Sequence, residues 1–278
     1  MTVSDLRKIA EECGADFLAV APADRWQELP PEKNPRSILP DCQSVIVIGR
    51  RIARGAFRGV EEGTNFNSTY RMFGKNWLED KFLLRMANEI VCAVEKQGYD
   101  AVPLDDAIVP GRQSDMTGHG FAGNVAMEST YFAHLAGLGS MGKGGFFLTP
   151  EFGLRQRFKM ILTDLVLDAG LPVIDLDFCD NCSACLDACP LHAMSEELTE
   201  QGKFTRNNRL CLECKNGTCG DTYSREEKLD RLAAGCGRAC LVALENKIAN
   251  QFHQPFRKRA VWERDLYGKV SLRKDGDA

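Results

Sequence analysis

The sequence lacks any apolar run near the roughly 18 residues that span a bilayer. No membrane-crossing helix is therefore expected in its 278 residues, and no membrane partner. It also lacks the apolar core of a signal peptide, because Met1-Thr-Val-Ser-Asp-Leu-Arg-Lys8 leads into an amphipathic segment. Its arginine pair at Arg50 and Arg51 is internal and follows a strand-like run, a poor export signal. These absences set the expectation of a cytoplasmic protein. There is no excess of positive charge: the formal net charge is −4, so nothing global points to nucleic acid. Internal repeats and low-complexity tracts are missing too. The apolar fraction of 44% and the charged fraction of 27% exclude a disordered or collagen-like chain.

What the sequence does have is cysteine, twelve in all. In a cytoplasmic chain of this size that number points to metal or redox chemistry instead of disulfides. Nine lie between Cys179 and Cys240, and three, Cys13, Cys42 and Cys92, lie outside. The outer three sit on apolar patterns and read as small buried hydrophobes.

The first 170 residues alternate helix and strand patterns. Leu6–Cys13 reads as a helix ended by Gly14, and Phe17–Ala21 as a strand stopped by Pro22. Ser44–Gly49 is a β-branched run with the look of a buried strand. Trp77–Lys96 reads as a helix with Leu78, Phe82, Met86, Ile90 and Val94 on its apolar face. Tyr99–Leu104, Phe146–Leu148 and Arg157–Leu167 read as strands and Glu128–Ala136 as a helix. Residues 52–76 and 105–124 read as two long loops, a length that usually serves function. The pattern predicts an α/β sandwich around one sheet. Val242–Asn250 reads as a further helix, followed by a basic tail.

Cys179-x2-Cys182-x2-Cys185-x3-Cys189-Pro190 has the spacing of the bacterial ferredoxin run. Three close thiolates wrap one [4Fe–4S] cubane, and the fourth points to another cluster. A zinc site is the competing reading, but zinc sites rarely use four cysteines in this rhythm. Two cubanes need about eight thiolates. The remaining candidates are Cys211, Cys214, Cys219, Cys236 and Cys240, so one is spare. By ferredoxin logic Cys240 completes the first cluster with Cys179, Cys182 and Cys185. The second then takes Cys189, Cys236 and two of Cys211, Cys214 and Cys219; the sequence leaves open which two.

Gly137-x-Gly139-x-x-Gly142 fits the dinucleotide fingerprint as a string. That fingerprint must follow a strand and open a helix, and here a helix precedes and a strand follows. The glycines let backbone approach a large ligand closely, and Lys143 adds a cation. A plain connection is the alternative use.

Taken in order, Arg36-Ser-Ile-Leu-Pro-Asp-Cys-Gln-Ser-Val-Ile-Val-Ile-Gly49, Ala136-Gly-Leu-Gly-Ser-Met-Gly-Lys143, Leu148-Thr-Pro-Glu-Phe-Gly153, Ile161-Leu-Thr-Asp-Leu165 and the cysteine run resemble the epoxyqueuosine reductase and reductive dehalogenase superfamily, over roughly residues 36–245. The resemblance implies a mixed α+β and α/β chain. It has a nitroreductase-like sandwich (residues 1–170), a ferredoxin-like two-[4Fe–4S] domain (171–245) and a C-terminal helix and tail (246–278). It implies electrons passing from a ferredoxin or flavodoxin through the clusters to a cobalamin, which reduces a small-molecule substrate. Gly137, Gly139, Gly142 and Lys143 would lie against the corrinoid. Rival expectations are a reductase using flavin or the clusters alone, and an electron carrier serving a partner corrinoid protein.

Two departures separate this chain from the tRNA-acting branch. It ends about 38 residues after Cys240, short of the helical repeats that grip tRNA. Phe121–Met127, where those enzymes carry an acidic proton donor, has no acid. No tRNA partner is expected. Substitute proton donors are His119, Tyr131 and Asp115, with Tyr70 beside Arg71 a further choice. Of these, Tyr131 also reads as a core residue on an apolar helix face.

Overall fold

The computed structural model describes residues 1–105, 125–220, 229–258, 262–267 and 269–272. The chain divides into two compact units, and each is built from pieces that are not contiguous in sequence.

The first unit takes Met1–Arg51, Leu78–Gly139 and Gln156–Asp175. Its centre is a four-stranded antiparallel sheet of β1 (Phe17–Pro22), β2 (Ser44–Arg51), β3 (Ala101–Leu104) and β4 (Gln156–Thr163), in the order β1-β2-β4-β3. Ser44 to Gly49 are buried without alternation, which requires cover on both sheet faces. Valine and isoleucine fill that strand because β-branched side chains pack well on a pleated surface. Register is fixed along eight pairs, from Ser44 opposite Thr163 to Arg51 opposite Gln156. Pro103 is confined to the edge strand β3, where its missing N–H breaks little. Ser44 ties the end of the sheet: its hydroxyl donates to Leu165 O at 2.8 Å and accepts from Leu167 N at 3.0 Å.

Three helices pack on this sheet. Helix α1 (Val3–Glu12) opens with a capping box, in which Thr2 accepts from Asp5 N and Asp5 accepts from Thr2 N. Helix α2 (Leu84–Glu95) buries Met86, Ala87, Ile90, Val91 and Val94. Helix α3 (Ser129–Leu135) buries Ser129, Phe132 and Ala133.

The expected helix Trp77–Lys96 exists, but its first part, Leu78–Leu83, winds as a π-helix. The wider turn moves the buried position from Phe82 to Leu83, five residues after buried Leu78. Phe82 is turned outward, with the Arg50 guanidinium 4.8 Å from its ring centroid. Residues 52–76, expected as a loop, are largely helical. They contain a 3-10 turn (Arg54–Phe57), one α turn (Arg58–Glu61) and a π-helical stretch (Asn67–Asn76). Buried Ile52, Ala56, Phe57, Val60 and Tyr70 anchor them, and the nine-residue gap between Val60 and Tyr70 breaks any helical period. Most of the other expected loop, residues 106–124, lies outside the described residues.

The second unit takes Ile52–Trp77, Ser140–Arg155 and Leu176–Ala278. Beside the helical turns of residues 52–76, its described residues form short two-stranded ladders and the small helices α4 (Ala184–Asp187), α5 (Asn208–Leu212) and α6 (Gly235–Leu244). The expected C-terminal helix Val242–Asn250 is displaced to α6. Gly235 and Gly237 read as breakers in sequence, yet they sit inside the helix. A Cβ at Gly237 would lie 2.2 Å from Leu232 O, so glycine is what lets α6 pack there. Among the described residues, no helix is long and apolar enough to cross a membrane.

Candidate metal centre

The ferredoxin-like run is a tight winding of short elements in the second unit. Cys179 ends a 3-10 turn (Asp177–Cys179), Cys185 lies in α4, and Cys189 closes it by donating its N–H to Leu186 O. Asn181 and His192 adopt left-handed backbone, with φ of 55° and 47°. That conformation is uncommon outside glycine, and asparagine and histidine tolerate it better than most.

Cys179, Cys182, Cys185 and Cys240 line one pocket together with Gly142, Lys143, Gly144 and Phe146. This is the first set that ferredoxin logic proposes. Cys236 sits one helical turn before Cys240 on α6, and its electrostatic neighbours are Arg231, Cys189 and Cys214, with Cys185 and Cys240 of the first set also near it. Cys211, in α5, faces Cys236 and Cys214. Cys189, Cys211, Cys214 and Cys236 are thereby linked as neighbours and form the candidate second group. Cys219 lies in a two-residue strand opposite Asp230. The sequence left the choice among Cys211, Cys214 and Cys219 open; Cys211 and Cys214 share Cys236 as a neighbour, which makes them the candidates.

Burial raises several of these thiols. It pushes Cys185 up to about 11 and Cys240 well above its usual range, with neighbouring cysteines adding to the effect. Cys179, Cys211 and Cys236 are also raised, chiefly by burial. Iron must displace those protons.

Among the described residues, no three His, Cys, Asp or Glu side chains sit close enough to hold a single ion. A cubane takes one thiolate per iron and needs a wider ring of donors than one tetrahedral zinc. The backbone around the first set fits that demand. A Cβ at Gly142 would stand 2.9 Å from Cys179 Sγ, and one at Gly144 would stand 2.7 Å from Cys185 Sγ. The thiols thus occupy space that only glycine leaves open. The Lys143 N–H is hydrogen-bonded to Cys179, which with the Lys143 charge partly offsets its burial.

The other residues of the glycine loop serve the first unit. Gly137 closes α3 with φ of 84°, and a Cβ there would meet Pro172 O at 2.3 Å. Gly139 O accepts from His134 Nδ1 at 2.9 Å.

Of the proposed proton donors, Asp115 and His119 lie outside the described residues. Tyr131 is 43% exposed on α3 and packs edge-on against Phe132. It is not the core residue its apolar surroundings suggested, because this short helix spends its buried face on Ser129, Phe132 and Ala133. Tyr70 is fully buried and bonded to Asp230, a pairing that no sequence period signals.

Residues 172–195 match the family described as 4Fe-4S binding domain. Over 193 residues the chain is 26% identical to the tetrachloroethene reductive dehalogenase of Sulfurospirillum multivorans, covering 68% of this chain and 33% of that one. Over 81 residues it is 43% identical to the epoxyqueuosine reductase of Synechococcus sp. (strain CC9605), covering 29% of this chain and 23% of that one. A solved reductive dehalogenase, described as suggesting a mechanism for B12-dependent dehalogenation, matches with a TM-score of 0.57 at 18% identity, over 88% of this chain and 32% of that one. That likeness is one of fold. The chain spans about a third of the length of the Sulfurospirillum dehalogenase.

Proposed function

We propose that the chain is an oxidoreductase of the superfamily that contains the epoxyqueuosine reductases and reductive dehalogenases, with two [4Fe–4S] clusters in its second unit. Cys179, Cys182, Cys185 and Cys240 hold the first cluster, and Cys189, Cys211, Cys214 and Cys236 hold the second. The carrying observation is the placement of Cys236 and Cys240 on α6, one turn apart: Cys240 lines a pocket with Cys179, Cys182 and Cys185, while Cys236 neighbours Cys189, Cys211 and Cys214 as well as Cys185.

The acceptor of the electrons is proposed to be a cobalamin that acts on a small molecule. When bound, a corrinoid supplies low-valent cobalt able to reduce a carbon–halogen or carbon–oxygen bond. The chain's own contribution is bare backbone: Gly142 and Gly144 lie against Cys179 and Cys185 with no side chain between the loop and those thiols. The Lys143 N–H at Cys179 tunes the first cluster, because hydrogen bonds to sulfur help set its potential. An external ferredoxin or flavodoxin is the proposed donor.

Anaerobic purification with added cobalamin, followed by iron, sulfide and cobalt analysis, tests the reading. About eight irons with one cobalt per chain is the expected result. Eight irons without cobalt after reconstitution would overturn the corrinoid and leave flavin or the clusters alone as the reducing group.

A further inference from the structure

Arg231 is a buried charge without a conventional partner. It follows the Leu229–Asp230 strand and is 3% exposed. Its Nη2 donates to Gly144 O at 2.6 Å. Its Nη1 lies 3.8 Å from Cys236 Sγ and 3.7 Å from Met194 Sδ. Its guanidinium stands 4.6 Å from the Phe146 ring centroid. Among the described residues it forms no ion pair with a carboxylate. The neighbouring Asp230 is turned instead to Tyr70 and Lys75.

Burying a cation without compensation costs on the order of several kcal/mol. Here a second cation comes close. A Cβ at Gly145 would stand 3.2 Å from Arg231 Nη2 and 3.5 Å from Arg206 Nη1. Two guanidiniums converging in a largely buried place need negative charge facing them; Arg231 is the leading charge at Cys211 and Cys236 and the least of those at Cys185 of the first set. Cys179 of the first set has Lys143 and Lys247 near it. Lys143 is half-buried and Lys247 exposed, so water screens them more than it screens a buried guanidinium.

We propose that Arg231 sets the redox order of the two clusters, making the Cys189, Cys211, Cys214 and Cys236 cluster the easier one to reduce. The inference rests on the two-cluster reading above. Reduction adds one electron, and so one negative charge, to a cubane, with no bond made or broken. A fixed cation at a ligand sulfur stabilises the reduced form more than the oxidised form, and so raises the potential. The cluster nearest Arg231 then acts as the store from which electrons are drawn singly.

The test is an EPR-monitored potentiometric titration of the full chain, anaerobically loaded with iron, as wild type, Arg231→Met and Arg231→Lys. In Arg231→Met one midpoint should fall by at least a tenfold change in the reduced-to-oxidised ratio at fixed potential, about 59 mV for one electron. The other midpoint should move by less than half as much. Arg231→Lys keeps the charge and loses the fork, so it should shift the same cluster by a smaller amount. Unchanged midpoints in Arg231→Met at wild-type iron content would overturn the assignment while leaving two clusters in place. If Arg231→Met loses iron, Arg231→Lys decides: a selective fall supports the proposal, and equal midpoints overturn it. A wild type holding only one cubane would overturn the two-cluster reading, and the proposal with it.

Discussion

The Tyr70 hydroxyl donates to Asp230, 2.8 Å from each carboxylate oxygen, with both side chains buried. Asp230 also accepts from Leu232 N at 3.1 Å and has Lys75 Nζ at 3.9 Å. One carboxylate thereby fastens the π-helical Asn67–Asn76 stretch to the backbone that presents Arg231. Tyr70→Phe removes a bond to a buried charge, so unfolding free energy should fall by about 1–3 kcal/mol. Urea denaturation at constant iron content measures this. An unchanged midpoint would show that the pair carries no stability.

The ligand sets predict a pattern of iron loss. Cys219→Ser should retain about eight irons per chain, while Cys211→Ser and Cys214→Ser should each lose the second cluster and fall to about four. Cys240→Ser should lose the first cluster and keep the other. Iron and sulfide assays after anaerobic purification read this directly. Loss of iron in Cys219→Ser, with full retention in Cys211→Ser or Cys214→Ser, would reassign the ligand.

The ferredoxin-like run was legible because its spacing is short and local: eleven residues, Cys179 to Cys189, carry the signal. The second cysteine set was only half legible. Cys211, Cys214 and Cys219 are equally cysteine-like in sequence, and what separates them is long-range: Cys211 and Cys214 neighbour Cys236 of α6, and Cys219 lies opposite Asp230. The buried β2 was readable from its β-branched run, and β4 from its apolar length. The helical content of residues 52–76 was hidden, since a π-helix does not repeat at the 3.6-residue period that sequence reading looks for. Arg231 and Asp230 carried no signal either, because a charged residue in sequence reads as surface until its burial is seen.

The glycine loop gives a steric prediction. Gly144→Ala places a Cβ where Cys185 Sγ now lies, 2.7 Å away. Cys185 cannot retreat freely, because α4 holds its backbone. The variant should fold, keep the second cluster and lose or distort the first, with iron falling toward about four per chain. Full iron content with an unaltered EPR spectrum would show that the loop has room to yield.

Cys42 predicts a pH dependence that does not involve iron. It is fully buried in the first unit, and its Sγ donates to Ser44 O at 3.5 Å. Burial pushes its thiol from the usual 9.0 up to about 11, against a smaller opposing effect of backbone hydrogen bonds. A raised thiol keeps its proton in the folded chain while the unfolded chain gives it up. The stabilisation is therefore complete below pH 9.0 and is lost as pH rises toward about 11. Wild-type stability should decline between pH 8.5 and 10.5 more steeply than that of Cys42→Ala, which starts lower because of its cavity. Thiol reactivity follows the same logic, since the thiolate is the nucleophile. At pH 8 an alkylating reagent should modify exposed Cys92 and leave Cys42 untouched until the chain unfolds. Parallel pH–stability slopes for the two proteins, or early labelling of Cys42, would show that the site opens to water in the folded state.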